Sequence, residues 1–417
     1  MCYINPMNDS NYILTLYSKY MQQCLSKFMT SEKSFVQSAQ EVLDNTISSA
    51  DVNSFISDIF SVSISNLIKM SLVCQSEMFK SLKLDEALPD MKGNLAEIRK
   101  KVSGQNKSIG NSQLYKMIRE SLVHSDMNHP NFQITSPGNL SLRLKPKGQP
   151  EIQLSLTNSE MLMIVSVFNR NLNNSMYYFE ENKALQSAID NGVLTEKNFD
   201  DYLTLSRNGK PIKFDEQQKD AFLNYFYSNN QLLKEVYSTG SANAELFLSR
   251  VPFQANEYNN FIGNFRAILY LMHLKENTAM NFTQFDDFFY KYIKSKKVPM
   301  REGAIVDPYV DIVCNLLMAT FGNLATTVDK TEFSQILKNG GCGIDEINAN
   351  HIRNSLAHGR FFINPKSEPT VEFYDGRSAE DLTHIASFPI RRINKVLAKQ
   401  IMAYDAQLLN DEQEQKN

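Results

Sequence analysis

The chain has few cysteines, no long apolar run and almost no net charge, and each shortage removes a class of protein. Its five cysteines, Cys2, Cys24, Cys74, Cys314 and Cys342, are odd in number, widely scattered in 417 residues and without C-x-x-C spacing. Neither a disulfide framework nor a zinc site is supported, so reduced thiols and no bound metal are the expectation. The opening "MCYINPMNDS" lacks a basic region followed by an apolar stretch, and the best apolar run, "MLMIVSVF" at 161–168, is far too short to span a bilayer. The expectation is therefore a cytoplasmic chain without a membrane. A net charge of -3 is not that of a general nucleic-acid coat. "NGGCGID" at 339–345 is glycine-rich but has no strand before it and no lysine in P-loop position, so it reads as a helix-breaking loop.

What is present is mostly helix. "NYILTLYSKYMQQCLSKFM" at 11–29 and "VNSFISDIFSVSISNLIKMSLVCQSEMFKSL" at 52–82 carry apolar residues at three- and four-residue spacing, as do "EYNNFIGNFRAILYLMHLKEN" at 257–277 and "VDPYVDIVCNLLMATFGNLATTV" at 306–328. A chain of this length has room for about two or three domains, each able to bury a core.

Two short stretches stand out. "HIRNSLAHGRFF", residues 351–362, puts Arg353 and His358 near the end of one helix. Asp345 and Glu346 lie in its early turn, and Gly359 can take the left-handed C-terminal cap. At 100° per residue, Ala349, Ile352 and Leu356 share an apolar arc, while Arg353, Asn354, Ala357 and His358 fall on a neighbouring arc of roughly 140°. "YKMIRESLVHSD", residues 115–126, repeats the pattern: Arg119, Ser121, Leu122 and His124 match Arg353, Ser355, Leu356 and His358, with Glu120 opposite Asn354 and Val123 opposite Ala357. Tyr115, Ile118 and Leu122 form the equivalent apolar arc. In a chain with six histidines, chance is a poor explanation of the doubling.

The sequels are also alike. After His124 come the alternating strands "LSLRL" and "EIQLSL", then a helix opened by the capping box of Thr157 and Glu160. After His358 come "RFFI", the turn-rich "NPKSEP", the strand "TVEFYDG" and a helix started by Ser387 and Pro389. A new helix begins about thirty residues past each histidine. This spacing predicts an internal duplication of a helix, hairpin, helix unit.

The phrase "IRNSLAHG" with a short hairpin behind it, present twice, resembles the HEPN superfamily. Many members of that family are metal-independent endoribonucleases with an R-x4-6-H motif, found in toxin, abortive-infection and CRISPR effector systems. The resemblance implies a mainly α protein of two related helical bundles, each with a β-hairpin after its motif helix, packed as an intramolecular pseudo-dimer. The corresponding divisions are 1–185 for the first bundle, 186–250 for a helical connector and 251–417 for the second. The site it implies is composite: Arg119, His124, Arg353 and His358 as catalytic groups, with Asn354 and Glu120 supporting and no cofactor. RNA is the implied substrate, and an inhibitor or activator, an antitoxin or a phage-derived trigger, the implied regulator. Further homodimerisation stays open.

The chemistry suits those residues. Metal-free RNA cleavage removes a proton from the 2′-hydroxyl, protonates the leaving 5′-oxygen and stabilises extra charge on the phosphate. Histidine can take either proton role at neutral pH, and arginine offers a forked set of donors matched to phosphate. Two other readings compete: a module that holds RNA or nucleotide phosphate without cleaving it, and an interaction protein in which Arg119 or Arg353 makes salt bridges that clamp the halves, with Glu120 as a partner.

Basic clusters at Lys92, Arg99, Lys100, Lys101, Lys107 and Lys116, at Arg143, Lys145 and Lys147, and in "KYIKSKK" at 291–297 would track a phosphate backbone if they converge on the motif helices. Arg266 and His273 also satisfy a looser spacing, but "AILYLM" between them reads as buried helix. The residues from His124 through Asp126 to His129 run into Pro130, which disfavours a metal site. The aromatic stripe "FDDFFYKYI" reads as core rather than a base-stacking platform.

Overall fold

The structure, a computed structural model, describes residues 10–43, 51–81, 98–102, 109, 111–123, 132–136, 139–145, 150–162, 164–165, 205–207, 210–212, 252–295, 309–364, 368–376 and 383–414. It is mainly helical. Helix α1 (Ser10–Thr30), α2 (Phe35–Leu43) and α3 (Val52–Ser81) precede the first motif helix, α4 (Asn111–Val123). Helices α5 (Pro252–Glu276), α6 (Phe282–Ser295), α7 (Asn315–Thr327) and α8 (Lys330–Asn339) precede the second, α9 (Glu346–Ala357).

Helix α3 is the axis of the packing. Every residue from Ile59 to Gln75 is buried, because α3 lies along α5 and also meets α1 and α7. The segment Val52–Gln75 is the one described helix long and apolar enough to cross a membrane, its most apolar 18-residue stretch having a mean hydropathy of 1.3, yet 89% of that stretch is buried inside the protein. Several of its polar residues find partners there. Asn66 donates to Thr320 Oγ1 at 2.9 Å and to Ser18 Oγ at 3.3 Å, and Ser65 donates to Asn158 Oδ1 at 2.8 Å. The apolar side chains of both halves merge into one continuous core, from Leu14 to Val165 and from Phe261 to Leu397.

The two motif helices are followed by the same order of elements. Behind α4 run β1 (Phe132–Ser136), β2 (Asn139–Leu144) and β3 (Ile152–Thr157), an antiparallel meander, and then helical residues 158–162. Behind α9 run β6 (Phe361–Asn364), β7 (Thr370–Asp375) and β8 (Thr383–Pro389), again an antiparallel meander, and then α10 (Ile390–Glu414). Each unit thus holds three strands, where the sequence pattern predicts a two-stranded hairpin. The added strands are β1, which pairs with β2, and β8, which pairs with β7. Ser387 and Pro389, expected to start the last helix, close β8, and the helix begins at Ile390, whose amide donates to Pro369 O at 2.8 Å. The capping box holds: Thr157 N donates to Glu160 Oε2 at 2.8 Å and Glu160 N donates to Thr157 Oγ1 at 3.2 Å.

In the segment expected to be a helical connector, the described residues are strand. Leu205–Arg207 (β4) pairs antiparallel with Lys210–Ile212 (β5), and the Asn208-Gly209 dipeptide between them in sequence is a strong hairpin signal. The remainder of 186–250 lies outside the described residues. Ahead of α7 the helix is π-wound from Tyr309 to Cys314. At its end, buried Asn315 fills the space beside Gly263, where a Cβ would lie 2.8 Å from the amide.

One charge on α3 is set among amide and hydroxyl groups. Lys69 Nζ donates to Asn323 Oδ1 and lies 3.5 Å from Thr326 Oγ1, and burial pushes its ammonium down to about 7. An unfolded lysine titrates near about 10.4. Between those values the unfolded chain binds more protons than the folded one, so stability rises with pH across that window. Lys69→Met should therefore stabilise the protein at pH 6 by about 2 kcal/mol or more, with the gain shrinking by up to about 1.4 kcal/mol per pH unit above pH 7. Urea unfolding of both proteins at pH 6, 8 and 9.5 checks this, and parallel stability curves would sink it.

Candidate functional site

Helix α9 ends as its sequence dictates. Asp345 caps its start, accepting from Asn348 N at 2.7 Å, and Ala349, Ile352 and Leu356 are buried. His358 is the C-cap, and Gly359 follows at φ 67°. That glycine meets two needs: a left-handed backbone, and close approach, since a Cβ there would stand 2.7 Å from Cys74 Sγ of α3. Asn260 of α5 grips the same turn from another side, its amide donating to Gly359 O at 2.8 Å and to Phe361 O at 2.7 Å. In α4, Tyr115, Ile118 and Leu122 are buried, and Tyr115 Oη donates to Gln75 Oε1 of α3 at 3.0 Å.

The end of α3 therefore touches both motif units, and Glu77 is where they meet. Its carboxylate side chain is only 3% exposed. Arg119 Nη2 of the first motif binds Oε1 at 2.5 Å, His358 Nδ1 of the second lies 3.1 Å from the same oxygen, and Arg360 Nη2 stands 3.9 Å from Oε2. The second guanidinium nitrogen of Arg119 binds Glu120 at 2.5 Å, while its buried Nε has no acceptor. His358 Nδ1 is buried and off the hydrogen-bond direction to Glu77. The side chain as a whole is 29% exposed, so the ring keeps an edge toward solvent away from Nδ1.

Arg360 extends the cluster. It donates to Gly376 O at 2.7 Å and stands 3.6 Å from Asp375 Oδ1. Asp375, at the end of β7, in turn takes His351 Nδ1 at 2.8 Å and Asn354 Nδ2 at 3.1 Å. Asn354 thus orients Asp375.

Of the four motif residues expected to carry the chemistry, Arg119 and His358 come together. Arg353 faces elsewhere: its Nη2 reaches toward Val328 O at 3.5 Å, at the carboxyl end of α7, where the helix dipole favours a cation. Burial pulls its guanidinium below the usual range, with neighbouring Asp329 opposing the shift. His124 lies outside the described residues, one position beyond the last residue of α4. His129 and Asp126 lie outside them as well. Glu77 and Arg360 escape a motif search. The signal for Glu77 is its setting, one of four charged residues in the thirty of α3 with Asp58, Lys69 and Lys80. Arg360 sits two residues past His358 in a stretch that reads as strand.

The discounted candidates belong to the core or to surface caps. His273 packs on Phe285 and Phe289, and burial lowers its pKa. Phe285 and Phe289 of α6 pack edge-on against Tyr270. Lys101 pairs with Glu160 at 2.6 Å and Arg143 with Glu151 at 3.0 Å, so these two cations bind carboxylates. Among the described residues, no three His, Cys, Asp or Glu side chains gather as a metal site. The chain matches no protein-family model, no curated protein and no solved structure.

Proposed function

We propose that this protein is a metal-independent endoribonuclease that cleaves RNA by attack of the ribose 2′-oxygen on the adjacent phosphorus. The observation that carries this reading is the meeting of Arg119 from one R-x4-H stretch and His358 from its repeat on a single buried carboxylate. In the reaction the O2′–P bond forms as the P–O5′ bond breaks, one base takes the 2′-hydroxyl proton and one acid protonates O5′. His358, with Nδ1 against Glu77 and the rest of its ring partly open, suits one proton role. His124 is the candidate for the other. Arg119 and Arg360 supply charge for the phosphate oxygens. Arg353 takes a supporting place at the end of α7 in this scheme. The products are a 2′,3′-cyclic phosphate and a free 5′-hydroxyl, and DNA, which lacks the attacking oxygen, resists.

The test is incubation of a labelled RNA and the same sequence as DNA with the protein in excess chelator, followed by end-group analysis. Cleavage of RNA alone with cyclic-phosphate ends, lost in a folded His124→Ala variant, supports the reading. Intact RNA, or chelator-sensitive cleavage, sinks it. A host would need such an activity held in check, which is the ground for proposing an inhibitor or trigger as partner.

A second reading rests on the same ion pairs. Arg119 is bound by two carboxylates, Glu77 and Glu120, which is what a clamp between the halves would also require. The two readings differ in what removal of each side chain does.

A further inference from the structure

Around Glu77 three basic side chains arrive from separate elements, α4, the cap of α9 and the residue that leads into β6. All approach a carboxylate that is almost wholly buried: Arg119 and His358 share Oε1, and Arg360 faces Oε2. The flanking cationic side chains are little exposed themselves, 12% for Arg119 and 10% for Arg360. A carboxylate and one face of a phosphodiester present the same feature to such donors, two oxygens sharing negative charge. Arg119 also keeps a buried Nε–H with no acceptor, a donor that the carboxylate leaves unused.

We propose that this cradle is an oxyanion-binding site for a nucleic-acid phosphodiester, and that Glu77 fills it from within as a competitor the substrate must displace. The inference rests on the reading of the protein as a ribonuclease only for the identity of the ligand. It goes beyond that reading by making Glu77 the restraint on the site. With Glu77, Glu120 and Asp375 all engaged with the two arginines, carboxylates outnumber guanidinium groups and an added anion is repelled while Glu77 stays in place. Displacement of Glu77 removes one negative charge from the centre and frees donors on two guanidinium groups at once.

The experiment uses the full chain and Glu77→Gln, titrated into a fluorescent single-stranded DNA oligonucleotide, which offers phosphodiesters but no 2′-hydroxyl. Removing an internal competitor raises the fraction of competent sites, and the expected result is binding tighter by about tenfold or more in Glu77→Gln. That gain should vanish when Arg360→Gln is added. Equal or weaker binding by folded Glu77→Gln overturns the proposal. Because the substitution also takes a charge from a buried ion pair, thermal unfolding with inorganic phosphate is read alongside: the midpoint of Glu77→Ala should rise with phosphate, and that of the wild type should not. A Glu77→Gln or Glu77→Ala chain that stays unfolded even with phosphate also overturns it, since a carboxylate the fold requires cannot be displaced. Tighter binding without RNA cleavage would leave the site standing and the nuclease reading fallen. Cleavage with unchanged binding would do the reverse.

Discussion

With His358 replaced by alanine, metal-free RNA cleavage should fall by about a hundredfold to ten-thousandfold, the range expected for removal of a general acid or base. The unfolding midpoint should hardly move. His358 caps α9 with its backbone amide, which donates to Asn354 O at 3.0 Å, and alanine keeps that amide. Its ring is partly exposed, and Glu77 retains Arg119 at 2.5 Å when the imidazole is gone, so the change should cost less than about 1 kcal/mol. Cleavage rates and urea unfolding measured on one preparation separate the outcomes. Full activity in a folded variant removes His358 from the chemistry. Loss of activity together with loss of the fold favours the clamp.

Arg119→Met should behave in the opposite way, as primarily a stability lesion. Its partner Glu77 is 3% exposed, and stripping a buried carboxylate of its nearest cation costs about 3–5 kcal/mol. The deeper check is the paired change. Replacing both groups with apolar residues, Arg119→Met with Glu77→Leu, removes the orphaned charge and should return most of that loss. The double variant would then be folded and inactive, which tells apart what the fold needs from what the chemistry needs. A single Arg119→Met that costs under about 1 kcal/mol would mean that the pair is effectively solvated, contrary to its burial.

Local features are legible in the amino-acid sequence. The N-cap of Asp345, the left-handed Gly359, the capping box of Thr157 with Glu160 and the apolar arcs of both motif helices depend on residues a few positions apart, where helix geometry alone decides neighbours. Strands β1 and β8 are not legible in the same way. In β8 only Phe388 is buried, so the alternation that reveals a half-buried strand is too faint, and Ser387 with Pro389 mimics a helix start. The centre of the site is hidden for another reason. Glu77 lies 42 positions from Arg119 and 281 from His358, by subtraction of their numbers, and only the packing of α3 between the two units brings them within reach. Arg353 shows the converse: its position in the motif is plain, but its neighbour, the end of α7, is a tertiary fact.

Cys74, Gln75 and Glu77 span less than one turn of α3, and through them that helix touches Gly359 of one unit, Tyr115 of the other and the shared ionic cluster. A slip of a single residue there would turn all three by about 100° and shift them by about 1.5 Å together. Neither unit can then be adjusted alone: the tip of α3 is a common point of failure, and the two units are yoked mechanically through it.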